Sequence, residues 1–312
     1  MRAATIAAGA LGGLAVGAAA GAHVWARHVE IHRYTLREVE LGILPPGSRR
    51  IRLLHISDIH LMPDQERKLA FLRHLESLRP HLVIDTGDNI ASAASVPMLA
   101  EAIEPLLRRP GAYVMGSNDM FAPSPKNPLR YFLPDARPDG FTERKDVELP
   151  TEELAARLSA FGWRDLTNRR DHIELGGLEV QLVGVDDPHL ERDEMPASAE
   201  PSVPDHSGVL RLGVAHAPYR RVLDSFVDDG ADLILAGHTH GGQLRIPGFG
   251  ALVTNCDLPR AQARGLSTWR GVPLNVSAGM GASPYSNYRF ATPPEASLIT
   301  LRAPRAGSPD QR

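Results

Sequence analysis

Arg50-Ile51-Arg52-Leu53-Leu54-His55-Ile56-Ser57-Asp58-Ile59-His60 runs from an apolar stretch straight into a polar cluster. Residues 50–57 have the composition of a strand. Asp58 and His60 follow two apart, a spacing that turns both side chains to one side of an extended chain. Downstream, Leu69, Leu72, Leu75 and Leu78 recur at a helical period within residues 65–78. A second strand at 82–84 enters Asp85-Thr86-Gly87-Asp88-Asn89. A helix over 96–107 and a strand over 112–115 follow, and that strand ends in Gly116-Ser117-Asn118-Asp119. This βαβαβ order predicts an α/β fold with a parallel sheet and helices packed on it.

Each of these strands ends in polar residues that a core does not need. Thirty residues separate Asp58 from Asp88 and thirty separate Asp88 from Asn118, one βα unit each time. Adjacent strands therefore bring the three groups side by side, beyond the carboxyl ends where open α/β sheets build their sites. Later come Ala215-His216-Ala217 and Gly237-His238-Thr239-His240-Gly241-Gly242. Alone, an Asp-x-His pair, a Gly-Asp turn or one histidine after a strand is commonplace. Two alternating imidazoles between glycines serve no packing purpose, and the five elements in order are far more specific than any one. Three oxygen donors (Asp58, Asp88, Asn118) and four imidazoles (His60, His216, His238, His240) suffice for two divalent transition ions sharing one carboxylate.

Working outward, a helix is expected over 151–161 with Thr151 as its N-cap. Strands are expected near 171–173, 179–185, 209–214, 233–235, 274–276 and 296–301, with a helix over 220–228. Residues 120–150 are proline-rich, but Leu129-Arg130-Tyr131-Phe132-Leu133 marks them as a loop lying on the surface. Tyr131, Phe132 and Leu133 follow the third polar cluster directly, which suits either a lid that takes an acyl or isoprenoid chain or a plain anchor for the loop. Residues 191–207 read as a polar, exposed loop, and there is no internal repeat.

The whole chain has 312 residues and a formal charge of −3. With no long basic run and only 5% aromatic residues, it lacks the positive stripe and the stacking surface of a general nucleic-acid binder. Cys256 is the sole cysteine, so an internal disulfide is excluded. Residues 3–22 hold ten alanines, five glycines and no charge. Twenty helical residues span about 30 Å, a bilayer core. Two readings stay open. Arg2 and Ala20-Gly21-Ala22 suit a cleaved signal peptide, which makes the remainder secreted. Gly9, Gly13, Gly17 and Gly21 suit an uncleaved anchor packing on one face, which makes the protein membrane-associated. The expected organisation is a signal anchor or signal peptide over 1–25, a linker and lead-in over 26–49, a main domain over 50–302 and a disordered tail over 303–312.

The set Asp58-x-His60, Gly87-Asp88, Gly116-Ser117-Asn118-Asp119, His216 and Gly237-His238-x-His240 resembles the ordered motifs of the calcineurin-like metallophosphoesterases. The resemblance covers Asp58 to Gly242 and, more weakly, the chain to Leu301. It implies a four-layer α/β/β/α sandwich, here with an N-terminal apolar helix. It implies two divalent metal ions, with Mn, Fe or Zn as the cofactor: Asp58, His60 and His240 on one, Asn118, His216 and His238 on the other, and Asp88 bridging. It also implies hydrolysis of a phosphodiester or diphosphate by a hydroxide bridging the ions, with Asp88 and Asn118 as the catalytic residues. The Gly237–Gln243 run and the apolar N-terminus look like the membrane-associated branch acting on UDP-2,3-diacylglucosamine-type, lipid-linked substrates. A soluble-substrate phosphodiesterase, a protein phosphatase and a non-catalytic metal-binding scaffold are the alternatives. One motif departs from the family's G-N-H-D. Ungapped, Ser117 falls at the ligand asparagine and Asn118 at the histidine; shifted by one, Asn118 is the ligand. The shifted form is preferred because an amide oxygen ligates better than a serine hydroxyl. Either way, the histidine that serves the leaving group is absent.

Overall fold

The computed structural model describes residues 16–125, 147–197 and 208–304. The lid cluster Tyr131-Phe132-Leu133, most of loop 191–207, the end of the tail and residues 1–15 lie outside the described residues. In chain order the strands are β1 (Thr35–Leu41), β2 (Ile51–Ile56), β3 (Leu82–Asp85), β4 (Gly111–Tyr113), β5 (Arg164–Asp165), β6 (Arg169–Leu175), β7 (Leu178–Gly184), β8 (Val209–Ala215), β9 (Leu233–Ala236), β10 (Arg245–Ile246), β11 (Gly250–Ala251), β12 (Gly265–Trp269), β13 (Val272–Val276) and β14 (Glu295–Leu301). The helices are α1 (residues 16–24), α2 (Glu66–His74), α3 (Ser95–Leu107), α4 (Ser117–Met120), α5 (Thr151–Ser159) and α6 (Arg220–Asp228).

The central strands are apolar on both faces, so each sheet needs a layer on each side. Leu82 and Ile84 of β3 and Leu233 and Leu235 of β9 turn inward to a shared core between two sheets. Their neighbours turn outward. Val83 packs with Leu69, Leu72 and Leu99 of α2 and α3, and Ile234 packs with Val222, Leu223 and Phe226 of α6. The result is the expected α/β/β/α order. Each fully buried Leu, Ile or Phe contributes about 1.5–3 kcal/mol relative to exposure, so the three apolar layers dominate stability.

One sheet has the order β1-β14-β2-β3-β4-β5, the other β12-β13-β9-β8-β7-β6. β2 through β5 are parallel, as are β7, β8, β9 and β13. All these strands therefore deliver their carboxyl ends to one rim. Two expectations need correction. Part of the expected linker is a strand: β1 pairs in parallel with β14, 260 residues away at Thr35↔Glu295, and Leu44 is buried. Its alternation is too weakly apolar to show without that partner. Thr151 is the first helical residue rather than the cap, because its hydroxyl donates to Asp119 O at 2.8 Å and leaves the cap position to Pro150. Among the described residues, no helix is long and apolar enough to cross a membrane.

Candidate metal centre

The rim collects all seven residues singled out from the sequence, but not on extended chain as the Asp-x-His spacing predicts. β2 stops at Ile56, and Asp58 and His60 both adopt left-handed backbone (φ 47° and 43°). Asp88, His238 and His240 do the same, at φ 57°, 67° and 48°. This conformation costs about 1–2 kcal/mol per non-glycine residue, and such strain concentrates where a site over-determines the chain. The β2 and β3 loops hold each other in it: Asp58 N donates to Gly87 O at 2.8 Å and His60 N to Asp88 O at 2.9 Å. The buried Lys68 ammonium donates to the carbonyls of Ile59 and His60 at 2.5 and 3.2 Å.

Asp88 sits at the middle. Its Oδ2 lies 3.4 Å from His60 Nε2 and 3.5 Å from His216 Nε2. On one side, the donor atoms of Asp58, His60 and His240 lie within 4.8 Å of one another, with His240 Nε2 3.6 Å from Asp58 Oδ1. On the other, Asp58, Asp88 and His216 form a second such group, and His238 Nδ1 stands 3.3 Å from His216 Nε2. Asn118 joins that side: its backbone N–H donates to Asp88 Oδ1 at 2.8 Å and its amide lies 2.6 Å from Asp88 Oδ2. It is the amide nitrogen, Nδ2, that donates to the carboxylate here, so this contact places Asn118 beside Asp88 without choosing between the two alignments. Asp119 is fully buried and accepts from the backbone N–H groups of Asp88, Asn89, Ile90 and Gly116, holding the β3 loop in place.

The donor set suits metal ions. His216 Nδ1 faces Thr86 O at 2.7 Å, His238 Nε2 faces Asn255 O at 3.1 Å and His240 Nδ1 faces Gly281 O at 3.2 Å. A carbonyl only accepts, so these nitrogens carry protons, and each opposite nitrogen turns a lone pair inward once it holds no proton of its own, as metal-ligating histidines do. Both ring nitrogens of the buried His60 lack a hydrogen-bond partner. Burial lowers His60 to about 4 and pushes His238 and His240 well below the usual imidazole value, the neutral form that ligation requires. His216 goes the other way. Burial would lower it too, but the carboxylates of Asp88, Asp187 and Asp58 outweigh burial and raise it to about 10. The centre therefore calls for positive charge, which a proton on His216 supplies when no ion does.

Several contributors carried no motif. Asn275 Nδ2 meets His55 Nδ1 at 2.9 Å, His55 Nε2 meets Thr86 Oγ1 at 3.0 Å, Thr86 donates to Ser57 Oγ at 2.7 Å, and Ser57 donates to Asp58 Oδ2 at 2.6 Å. Burial keeps His55 neutral, lowered to about 3. This one-way chain crosses both sheets and fixes Asp58 as an acceptor. Asp187, beyond β7, is fully buried with Oδ2 lacking a hydrogen-bond partner, and burial raises it to about 7. The Val185-Asp186-Asp187 strand end was the signal available for it. The His189 ring lies 4.6 Å from the His238 ring, tilted by 43°. The fully buried Arg289 donates from Nη2 to Ala278 O at 2.6 Å and lies 3.4 Å from His240 Nδ1.

A comparison with known protein families matches residues 51–242 to "Calcineurin-like phosphoesterase". The uncharacterized metallophosphoesterase YkuE of Bacillus subtilis is 26% identical over 316 residues, covering 95% of this chain and 96% of its own. A bovine (Bos taurus) transmembrane protein with metallophosphoesterase domain is 32% identical over 67% of this chain and 45% of its own. Phosphodiesterase YaeI of Escherichia coli is 29% identical over 52% of this chain and 64% of its own.

Proposed function

The chain belongs to the calcineurin-like phosphoesterases, and from that premise we propose that it hydrolyses a phosphodiester or diphosphate bond with two divalent ions held side by side. The observation that carries this reading is Asp88 Oδ2, lying 3.4 and 3.5 Å from the inward nitrogens of His60 and His216. One carboxylate oxygen between two imidazoles suits a bridging ligand. Asp58, His60 and His240 would hold one ion, Asn118, His216 and His238 the other, and Asp88 both. Imidazole, carboxylate and amide donors together suit Mn, Fe or Zn. Such ions, when bound, supply an activated water and neutralise phosphoryl charge.

The chain's own residues then position and discriminate. The one-way chain from Asn275 to Ser57 holds Asp58 in a single orientation. Thr86, Asn255 and Gly281 carbonyls fix the imidazole rings. Asn118 can orient a departing oxygen by a hydrogen bond but cannot give it a proton, so good leaving groups are favoured. A lipid-linked phosphoester as substrate and attachment to a membrane through the N-terminal segment complete the reading. Their support is the uncharged stretch 3–22 and the resemblance to the bovine relative, whose name places it in a membrane.

The test is hydrolysis of bis(p-nitrophenyl) phosphate by desalted protein with and without added Mn²⁺, and by Asp88→Asn. Turnover that needs the ion and is lost in Asp88→Asn supports the reading. Bound metal without turnover on any phosphoester would make the protein a scaffold and overturn it.

A further inference from the structure

The N-terminal helix does not stand apart from the centre. Arg289 N donates to Ala26 O at 3.0 Å, and the Arg289 side chain lies against His240. Thr292 N donates to the buried Glu30 carboxylate at 2.5 Å. The carbonyl of Phe290, the residue after Arg289, accepts from Arg245 N at 2.9 Å, which ties on the β10–β11 hairpin. Gln243 Nε2 donates to Tyr288 O at 3.0 Å and also to Ser286 O, which ties on the turn Pro284–Ser286. Helix, hairpin tip and turn are thus three projections from one hydrogen-bonded strip beside His240.

All three expose large apolar side chains: Val24, Trp25 and Val29 from the helix and its continuation, Ile246 and Phe249 from the hairpin, and Tyr285 from the turn. Phe249 is 64% exposed, an unusual position for a phenylalanine in a chain with so few aromatics. Arg33 lies over the Trp25 ring and Arg260 over the Phe249 ring, each at 5.7 Å from the centroid. Of the five arginines in 237–294, Arg264 pairs with Glu295, Arg270 pairs with Asp224 and Asp228, and Arg289 is buried, which leaves Arg245 and Arg260, with Arg33 from the helix side, as the cations of this face. An apolar rim with aromatic rings and arginines matches the boundary between acyl chains and anionic headgroups.

We propose that this face docks on an anionic lipid bilayer, with the tip of the β10–β11 hairpin and Tyr285 entering it beside the N-terminal helix, so that the metal centre opens toward headgroups. The occupant follows from continuity: the uncharged stretch 3–22 runs directly into the helix that carries Val24, two residues before the Ala26 contact. Docking of this kind requires no spanning helix. It rests on the phosphoesterase reading only for its consequence, that the substrate is a phosphoester presented at the membrane surface.

The experiment uses the full chain carrying Cys256→Ser, with an environment-sensitive fluorophore on Phe249→Cys, on Tyr285→Cys, or on Phe161→Cys. Phe161 is exposed near Arg108, at the opposite end of the sandwich. With vesicles of phosphatidylcholine and phosphatidylglycerol, probes at 249 and 285 should shift to the blue and lose emission to doxyl-labelled acyl chains, while the probe at 161 does neither. Probes at 249 and 285 that stay water-exposed on bound protein, or an absence of vesicle binding, overturn the proposal. In parallel, Ile246→Ser with Phe249→Ser should raise KM for a vesicle-embedded phosphodiester by about tenfold or more and leave bis(p-nitrophenyl) phosphate unchanged. An equal loss on both substrates also overturns it. Probe insertion in a protein that hydrolyses nothing would leave the docking intact and remove the phosphoesterase reading instead.

Discussion

Gly116→Ala tests the centre with a single methyl group. Gly116 has extended backbone (φ −112°, ψ 171°), so alanine is not strained there by its own conformation. The added Cβ, however, would stand 2.3 Å from Asp88 Oδ1 and 2.8 Å from His216 Cε1 and Nδ1. Ordinary contacts are longer by about 1 Å, so the carboxylate must move by about that much. Asp88 Oδ1 is already bonded to Asn118 N at 2.8 Å and Oδ2 to the Asn118 amide at 2.6 Å, so it cannot move without breaking both. Overpacking of this kind costs about 1–3 kcal/mol, which lowers Tm by roughly 2–10 °C in a chain of this size. A 1 Å misplacement of reacting groups costs on the order of 10²-fold in rate. The control is Gly111→Ala, whose Cβ would stand 2.4 Å from the Trp163 indole nitrogen and touch no residue of the centre. Both variants should lose similar stability by thermal unfolding. Only Gly116→Ala should also lose bound Mn²⁺ by elemental analysis and turnover of an aryl diester, measured well below its Tm. Full metal and full rate in Gly116→Ala, or equal losses in both variants, would refute the placement of Asp88 and His216 in one centre.

Four further outcomes are expected. Asp88→Asn should weaken both ions while His216→Ala depletes mainly one, counted by elemental analysis after desalting; undiminished occupancy in both variants would reject the bridge. His216 is raised to about 10 from 6.5 and must lose its proton to ligate, so Mn²⁺ affinity should climb by up to about tenfold per pH unit between 6 and 8, with proton release seen by calorimetry in buffers of different ionisation heat. By the same sign, the protonated ring stabilises the metal-free fold fully below 6.5 and less as pH rises through about 10, so stripped protein should lose stability over that window and loaded protein should not. Because Asn118 transfers no proton, alkyl diesters should lag diphosphates and activated aryl esters by on the order of 10²–10⁴-fold; a shallow dependence of rate on leaving-group pKa would show that another residue supplies the proton.

What was legible in the chain by itself is what short-range pattern carries. The continuous apolar runs at 82–84 and 233–235 announce buried parallel strands, because a strand covered on both faces carries no polar alternation. Asp58, Asp88 and Asn118 at equal spacing announce a common rim, because one βα unit advances one strand. Side chains so placed form a donor set whatever the details of the loops. The tertiary structure decided the rest. The left-handed kinks at Asp58, His60, Asp88, His238 and His240 arise from hydrogen bonds between loops, so spacing alone suggested an extended chain that the fold does not use. Strand β1 exists only through β14, and its own residues are too polar to declare it. The chain Asn275-His55-Thr86-Ser57-Asp58 joins positions 220 residues apart in sequence at its first step. Asp187, Arg289 and the apolar rim beside His240 share that property. Each gains its meaning from a neighbour distant in sequence, and a hydrogen bond or a buried charge depends on distance in space, which local composition does not encode.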